Sequence, residues 1–462
     1  MLKSWVACLR IQKGSLTKQP KSAAELRRIA DFQVLPLLLV GFATYQLDRT
    51  NLSSALTGGL ADDLSISQNT INLGNQLMFL GVIALEIPSN VVLYKIGPRW
   101  WIGGQVLVFG IIAALQIFIR NESEFLLTRA ILGLAEAGYI PGAMFTLSTW
   151  YTKAEITKRI AIFFFGMFGG TAISPLLGAG ILKLDGHGGL LGWQWIFLDA
   201  VEGVWSVAIS LLLLIFLPQR ASYELVSQHK CMATNGWSIK DGNRRLPLAE
   251  VWRIITCIRK WPHFLATACV FATWSPLTTY TPSIIMSLGF SRVKANALAA
   301  VASILTLPVV LFFAWFSDKT KRRGMTVMIA ISAYLVAIVI LRTAQPFASR
   351  WCKFGMWTAV NGLAVGYHPI HNAWIQIKCR TPEERSIFLA YLVVVSATSG
   401  LMGGSQLFRE DESSTLYPRG LLIMIGLVFL GLVLTALQEI IYFLEDRDAK
   451  TKSDSVDSNS AC

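Results

Sequence analysis

The chain has 462 residues, with 41 Lys and Arg against 28 Asp and Glu (net charge +13), and is 53% hydrophobic but only 15% charged; its mean hydropathy is +0.52. A soluble globular chain carries roughly 25% charged residues, so these charges are too few to cover a water-facing surface of this size. Disorder, a collagen repeat, a disulfide scaffold and an ordinary cytosolic enzyme are excluded, which leaves an all-α membrane protein.

Residues 1–31 are basic and polar and lack the apolar core of a signal peptide, so they read as an N-terminal tail ahead of a first span that serves as an uncleaved insertion signal. A spanning helix needs about 20 mostly apolar residues. Blocks of that kind fall near 33–54, 71–93, 101–119, 124–147, 159–181 and 194–217. A polar loop occupies 218–262, and a second set follows near 263–288, 296–316, 325–344, 352–374, 386–407 and 419–443. The segment 444–462 is rich in acids, Ser and Lys and has too little apolar content to fold alone. The spacing predicts two six-helix bundles, 32–217 and 263–443, making twelve transmembrane helices in two pseudo-repeats, the layout of a secondary transporter. A monomer suffices for such a fold. Tyr94 to Arg99 after the second block and Asp318 to Arg323 after the eighth are corresponding short hairpins. In the second, Asp318 among four cations, Arg322 included, reads as an ion-paired conformational element.

With the N-terminus inside, about 30 of the 41 Lys and Arg fall in cytoplasmic segments, the bias that sets orientation. Both termini are therefore expected in the cytoplasm, with the plasma membrane as the expected location. The basic excess meets anionic lipid and requires no nucleic acid. Most of the seven cysteines fall in cytoplasmic segments or spans, so no external disulfide framework is expected. The sequon at Asn121 sits in a turn of only a few residues, close to the membrane, and is a weak glycosylation candidate.

Ionisable residues at membrane depth cost at least a few kcal/mol each, so each is a functional candidate. Asp48 and Arg49 lie in the first span with Asn51 beyond, and Glu86 lies in the second before Pro88. Asp48 and Arg49 could neutralise one another; Glu86, near a helix end, reads first as structural and then as a further proton carrier. Arg129 and Glu136 are seven apart on one face of the fourth span, about 10 Å along the axis, too far for a direct pair. Arg129 stays charged and can grip a carboxylate in bidentate fashion, whereas a buried Glu136 can carry a proton. Asn361 and His368 repeat the seven-residue spacing in the tenth span. His368 and His371 are read as the histidines inside the spans, both in one helix, and with no carboxylate or thiol cluster beside them a metal is not expected. The fifth span is rich in Gly and carries Pro175, a pattern of close packing that is also compatible with a hinge.

Several of these residues stand in recognisable runs: Asp48-Arg49-Thr50-Asn51, Glu86-Ile87-Pro88-Ser89-Asn90, Arg129 through Gly138, Pro141-Gly142, Trp150-Tyr151, Gly192 through Phe197 and Tyr280-Thr281-Pro282-Ser283. Together they resemble the fungal anion:cation symporters of the major facilitator superfamily, which include allantoate, nicotinate and pantothenate permeases, over about residues 30–447. The resemblance implies a twelve-helix major facilitator fold and proton-coupled movement of a small organic anion by alternating access. It makes Asp48, Arg49, Asn51, Arg129 and Glu136 the candidates for pocket and coupling. The chain departs from the pattern at Tyr94, at Glu202-Gly203 (which comes late, after Asp199), and at Lys378, Thr381 and Glu384. Import of a carboxylate driven by the proton gradient, without any cofactor, is the expected function; export of a specialised metabolite is the alternative. No acid, base, metal or nucleophile constellation supports an enzyme, no filter-like repeat supports a channel, and no phosphate-binding glycine loop supports ATP-driven transport.

Overall fold

The computed structural model describes residues 23–151, 153–198, 203–218, 256–379 and 396–460. Among these residues the fold is all-helical, and the helices group into twelve spans that overlap the twelve apolar blocks. A short helix, Ala23–Ile29, leads into α1 (Leu35–Thr57), followed by α2 (Gln68–Ile96) and α3 (Pro98–Leu115). The fourth span, α4, is broken into Glu122–Glu136 and Tyr139–Trp150; α5 is Lys153–Ile181; α6 comprises Gly192–Leu198 and Gly203–Phe216. The second half follows with α7 (Trp261–Ser287), α8 (Arg292–Thr320), α9 (Arg323–Ala344), α10 (Arg350–Leu363 and His368–Ile377), α11 (described over Ala397–Gly404) and α12 (Pro418–Ser460). Among the described residues, seven helices are long and apolar enough to cross a membrane on those two criteria alone. The end of the bundle carrying Asp31 and Glu445 is called proximal, and the end carrying Ser67, Asp185 and Phe408 distal.

The two halves repeat their packing as well as their hydropathy. Gly166 and Gly170 of α5 sit against the backbone carbonyls of Leu39 and Ala43 in α1. Gly400 and Gly404 of α11 sit in the same way against Ala268 and Ala272 in α7. In both pairs a Cβ would run into main-chain atoms, which have no rotamer to escape through. Gly133 of α4 likewise faces the Met78 backbone of α2, and Gly362 of α10 faces Leu305 of α8. Gly166, Gly170 and Gly178 of the fifth span thus serve tight helix packing, whereas Gly169 and Gly180 have open space around them.

α4 and α10 are interrupted at corresponding heights. In α4 the chain leaves helical geometry at Ala137 and turns through Gly138 at φ +87°. A side chain there would also strike Ser89. The groups freed by the break are satisfied from neighbouring helices: Gln105 of α3 donates to the Ala137 carbonyl at 2.5 Å, and the Gly138 N–H is taken by Glu86 of α2. Satisfying freed backbone in this way is the condition for irregular structure at membrane depth.

Two expectations change. The segment after residue 443 does not leave the fold as unstructured chain, because α12 runs unbroken to Ser460. Once Gly431 is passed the chain contains no Gly or Pro to stop the helix. Asp318 forms no ion pair among the described residues; it and Arg322 are both exposed, and an exposed pair gains little in water. The hairpin cations hold helix ends instead. Arg99 donates to the carbonyls of Leu214 and Ile215 at the end of α6, and Arg323 donates to the Ala373 carbonyl of α10. The N-terminal tail to residue 22, the central loop over 219–255, and the departures at Asp199, Glu202, Thr381 and Glu384 lie outside the described residues.

Candidate functional site

The halves meet along a seam at the distal end. Gln68, Asn72, Asn75 and Gln76 form one polar face of α2, with spacings that place them on neighbouring turns. Gln68 and Asn72 donate to the Phe408 carbonyl at 3.1 and 2.8 Å, and the Tyr280 hydroxyl donates to Asn72 Oδ1 at 2.6 Å. Gln76 donates to the Met402 carbonyl and accepts from Gln406. Asn75 Nδ2 donates to Thr279 Oγ1 at 3.3 Å. On the other flank Asn296 donates to Thr57 at 2.6 Å, and Arg292 pairs with Asp185 at 3.2 Å.

Proximal to this seam, inside the N-terminal half, lies a buried charged cluster. Arg49 of α1 donates through Nε to Glu136 Oε2 of α4 at 2.7 Å, and its guanidinium lies over the Tyr45 ring at 4.5 Å. Asp48 and Arg49 therefore do not neutralise one another. Asp48 is buried and neither of its carboxylate oxygens has a hydrogen-bond partner among the described residues. Arg129 is 1% exposed and donates through Nη2 to Asn75 Oδ1 at 2.9 Å and to Met78 Sδ at 3.1 Å. Its Nε and Nη1, the Nη2 of Arg49 and the second oxygen of Glu136 are buried without partners among the described residues. Asn51 accepts from Ser174 of α5 at 3.2 Å. Arg129 and Glu136, too far apart to pair with each other, each find a partner on another helix. Buried donors left open cost about 1–3 kcal/mol each, so they mark a place where a ligand or a second state supplies what is missing.

A central cavity of about 40 Å³ lies between the halves, bounded by α1, α5, α7, α8 and α10. Hydroxyls dominate its polar lining: Thr50, Ser53, Thr171, Thr278, Ser303 and Thr306, with Thr281 held to Asn361 at 3.1 Å. It is far below the ~300 Å³ at which small-molecule pockets usually begin, so the halves are drawn together around it. Of the residues expected to contact substrate, Asn361 lines this cavity, whereas Arg49, Asn51, Arg129 and His368 do not. The hydroxyls were missed as site residues, although Thr278 with Thr281 and Ser303 with Thr306 give the signal: polar residues three apart in otherwise apolar helices. A second, open cleft of about 550 Å³ runs along the proximal parts of α1 and α5, where Asp31 accepts from Tyr151 at 2.9 Å and pairs with Arg159 at 3.3 Å.

In the C-terminal half His368 shares a 3.0 Å hydrogen bond with Asn372 and takes the edge of Phe271 at 4.4 Å. The expectation that the histidines inside the bundle belong to one helix is corrected by His263 of α7. Its ring stacks on His371 at 3.7 Å, and each Nε2 reaches the other's backbone carbonyl at 3.0 and 3.2 Å. Placed just after Arg259 and Lys260 it reads as a helix-end residue, and only tertiary packing reveals its burial. Among the described residues no cluster of His, Cys, Asp and Glu has the make-up to hold a metal. Asn121 is the N-cap of α4: its Oδ1 accepts the Glu124 N–H at 2.9 Å while its Nδ2 donates to the Glu124 carboxylate at 2.8 Å.

The profile of the Major Facilitator Superfamily matches residues 38–404. The chain is 28% identical to the MFS-type transporter cnsO of Penicillium expansum, across 93% of this chain and 85% of that one. It is 27% identical to a putative tartrate transporter of Agrobacterium vitis, across 89% and 91% of the two chains. Among solved structures it resembles an inward-facing, unoccupied bacterial homologue of the human lysosomal transporter Spinster, with a TM-score of 0.64 and 18% identity over 88% of this chain and 96% of that one. It also resembles a D-xylose-proton symporter, with a TM-score of 0.65 and 13% identity over 88% and 97%. At these identities the structural likeness speaks for the fold alone.

Proposed function

The chain belongs to the Major Facilitator Superfamily and is a secondary transporter, not an enzyme; from that premise we propose that it imports a small organic anion, a carboxylate, together with protons by alternating access. The observation that carries this reading is the set of buried guanidinium N–H groups on Arg49 and Arg129 that have no partner among the described residues, in a cluster with the carboxylate of Glu136. A carboxylate is the complement of such donors. The buried acids Asp48 and Glu136, with Glu86 as a third at the break in α4, provide places for the coupling proton. The tartrate transporter among the relatives and the resemblance to the allantoate, nicotinate and pantothenate permeases support the same class of cargo. The basic residues of the proximal segments support a cytoplasmic proximal end, both termini included, in the plasma membrane.

The test is proton flux into proteoliposomes of the purified protein with a panel of small carboxylates added outside, read with a trapped pH dye. Inward proton movement triggered by one carboxylate supports symport. In the Glu136→Gln variant uphill accumulation is lost while exchange of substrate persists; accumulation driven by a pH gradient in that variant would take the proton away from Glu136. A second reading, export of a specialised metabolite, is favoured by one observation: the cavity lining offers hydroxyls and Asn361 but no ionised side chain, which suits an uncharged cargo. Silence across the carboxylate panel would favour it.

A further inference from the structure

The amides of the seam differ in one respect. Gln68, Asn72 and Gln76 direct both ends of their side chains across to the C-terminal half. Asn75 gives only its Nδ2 to that half, because its Oδ1 is taken by Arg129 from within its own half. A guanidinium has donors and no acceptor, so Arg129 accepts only one orientation of the Asn75 amide, with the oxygen inward and the N–H₂ outward. On the far side Thr279 Oγ1 already donates to the Ser275 carbonyl at 3.1 Å, which leaves its oxygen as the acceptor for Asn75. The result is a one-way chain of donors, Arg129 to Asn75 to Thr279 to Ser275, that begins in the buried charged cluster and ends on α7. The alternative orientation of Asn75 would set N–H groups against the Arg129 N–H groups and carbonyl oxygen against an oxygen with no proton left to give.

We propose that Arg129 acts as a positioning residue for distal closure: by fixing the orientation of Asn75 it holds α2 to α7 at Thr279, so the state of the buried cluster is transmitted to the seam through a single amide. The role uses one N–H of Arg129 and leaves Nε and Nη1 available for another partner. It requires only the two-half fold, and it holds whatever the cargo and whichever way it travels.

The test needs no substrate. Nitroxide labels on exposed Asp62 and Ser413 report the distance across the distal end, and labels on exposed Lys95 and Lys321 report the proximal end, with native cysteines replaced and distances read by double electron–electron resonance. Loss of one net hydrogen bond shifts a two-state population by about fivefold. Thr279→Val, which keeps the shape of the side chain and removes the acceptor of Asn75 together with the local bond to the Ser275 carbonyl inside α7, is therefore expected to raise the distal-open population about fivefold. Asn75→Leu and Arg129→Met are expected to do the same, and the Asn75→Leu/Arg129→Met double variant no more than either alone. A merely structural Arg129 would lower the melting temperature without shifting the distance populations. Distal populations unchanged in Thr279→Val, or effects of Asn75→Leu and Arg129→Met that add in the double variant, would overturn the proposal. Should Arg129→Met fail to fold, the Thr279→Val and Asn75→Leu measurements still decide it. A carrier that failed to move any carboxylate would leave these distances, and the inference, untouched.

Discussion

The pairing of Arg49 with Glu136 makes a quantitative prediction. At 2.7 Å, with an effective dielectric constant of about 20, two unit charges attract by on the order of 6 kcal/mol. Against this stands the removal of both ions from water, several kcal/mol each, so the pair as a whole adds little net stability. Breaking it is a different matter. Glu136→Gln leaves a guanidinium stranded beside Tyr45, and Arg49→Gln strands a fully buried carboxylate; each is expected to cost about 3–5 kcal/mol. The Arg49→Gln/Glu136→Gln double variant strands neither charge, and its two amides can bond to each other. Its loss should therefore fall short of the summed single losses by up to about 3 kcal/mol. The assay is thermal unfolding of the four purified proteins in one detergent at one pH, followed by tryptophan fluorescence, with each midpoint shift converted to a free-energy change through the unfolding entropy. Single losses that simply add in the double variant, to within about 0.5 kcal/mol, would refute the claim that these two residues neutralise one another across α1 and α4.

Two further outcomes follow from packing and capping. Gly133→Ala places a methyl group in the Met78 backbone and should destabilise the fold by about 1–3 kcal/mol, whereas Gly355→Ala, with open space around it, should be neutral or stabilising by up to about 1 kcal/mol; equal melting temperatures for the two would discount the backbone contact. Asn121→Ala removes the α4 cap and should cost about 1 kcal/mol, and because the cap needs no sugar the loss should be the same in protein made with and without glycosylation machinery.

Hydropathy carried most of the fold, because a bilayer imposes a length and a composition that a single chain must display openly. The twelve spans, the two halves and the close-packing role of the glycines in α5 were legible for that reason. Pairing was not. That Glu136 needed a partner on another helix could be reasoned from its spacing to Arg129, but that the partner is Arg49, and that Asp48 is left without one, depends on how α1 turns against α4. The stacking of His263 on His371 and the amide face of α2 escaped for the same reason: their meaning lies in what they meet across a seam. Asn361 and His368 were matched to Arg129 and Glu136 by spacing alone. In the structure Asn361 lines the cavity and His368 does not.

The glycine contacts that join α1 to α5 and α7 to α11 carry a mechanical consequence. Where a side chain separates two helices, a rotamer change can absorb a small slip; where a carbonyl rests directly on a glycine there is nothing to swing aside, and sliding by a fraction of a turn would drive backbone into backbone. Each half is therefore stiff along its own helix pairs. Compliance is concentrated in the thin layer between the halves, where a handful of amides and hydroxyls and the Arg292–Asp185 pair can part and re-form one at a time. Such a molecule resists bending and yields by rocking, and the height of its slowest barrier is set by how many of those bonds must be open together.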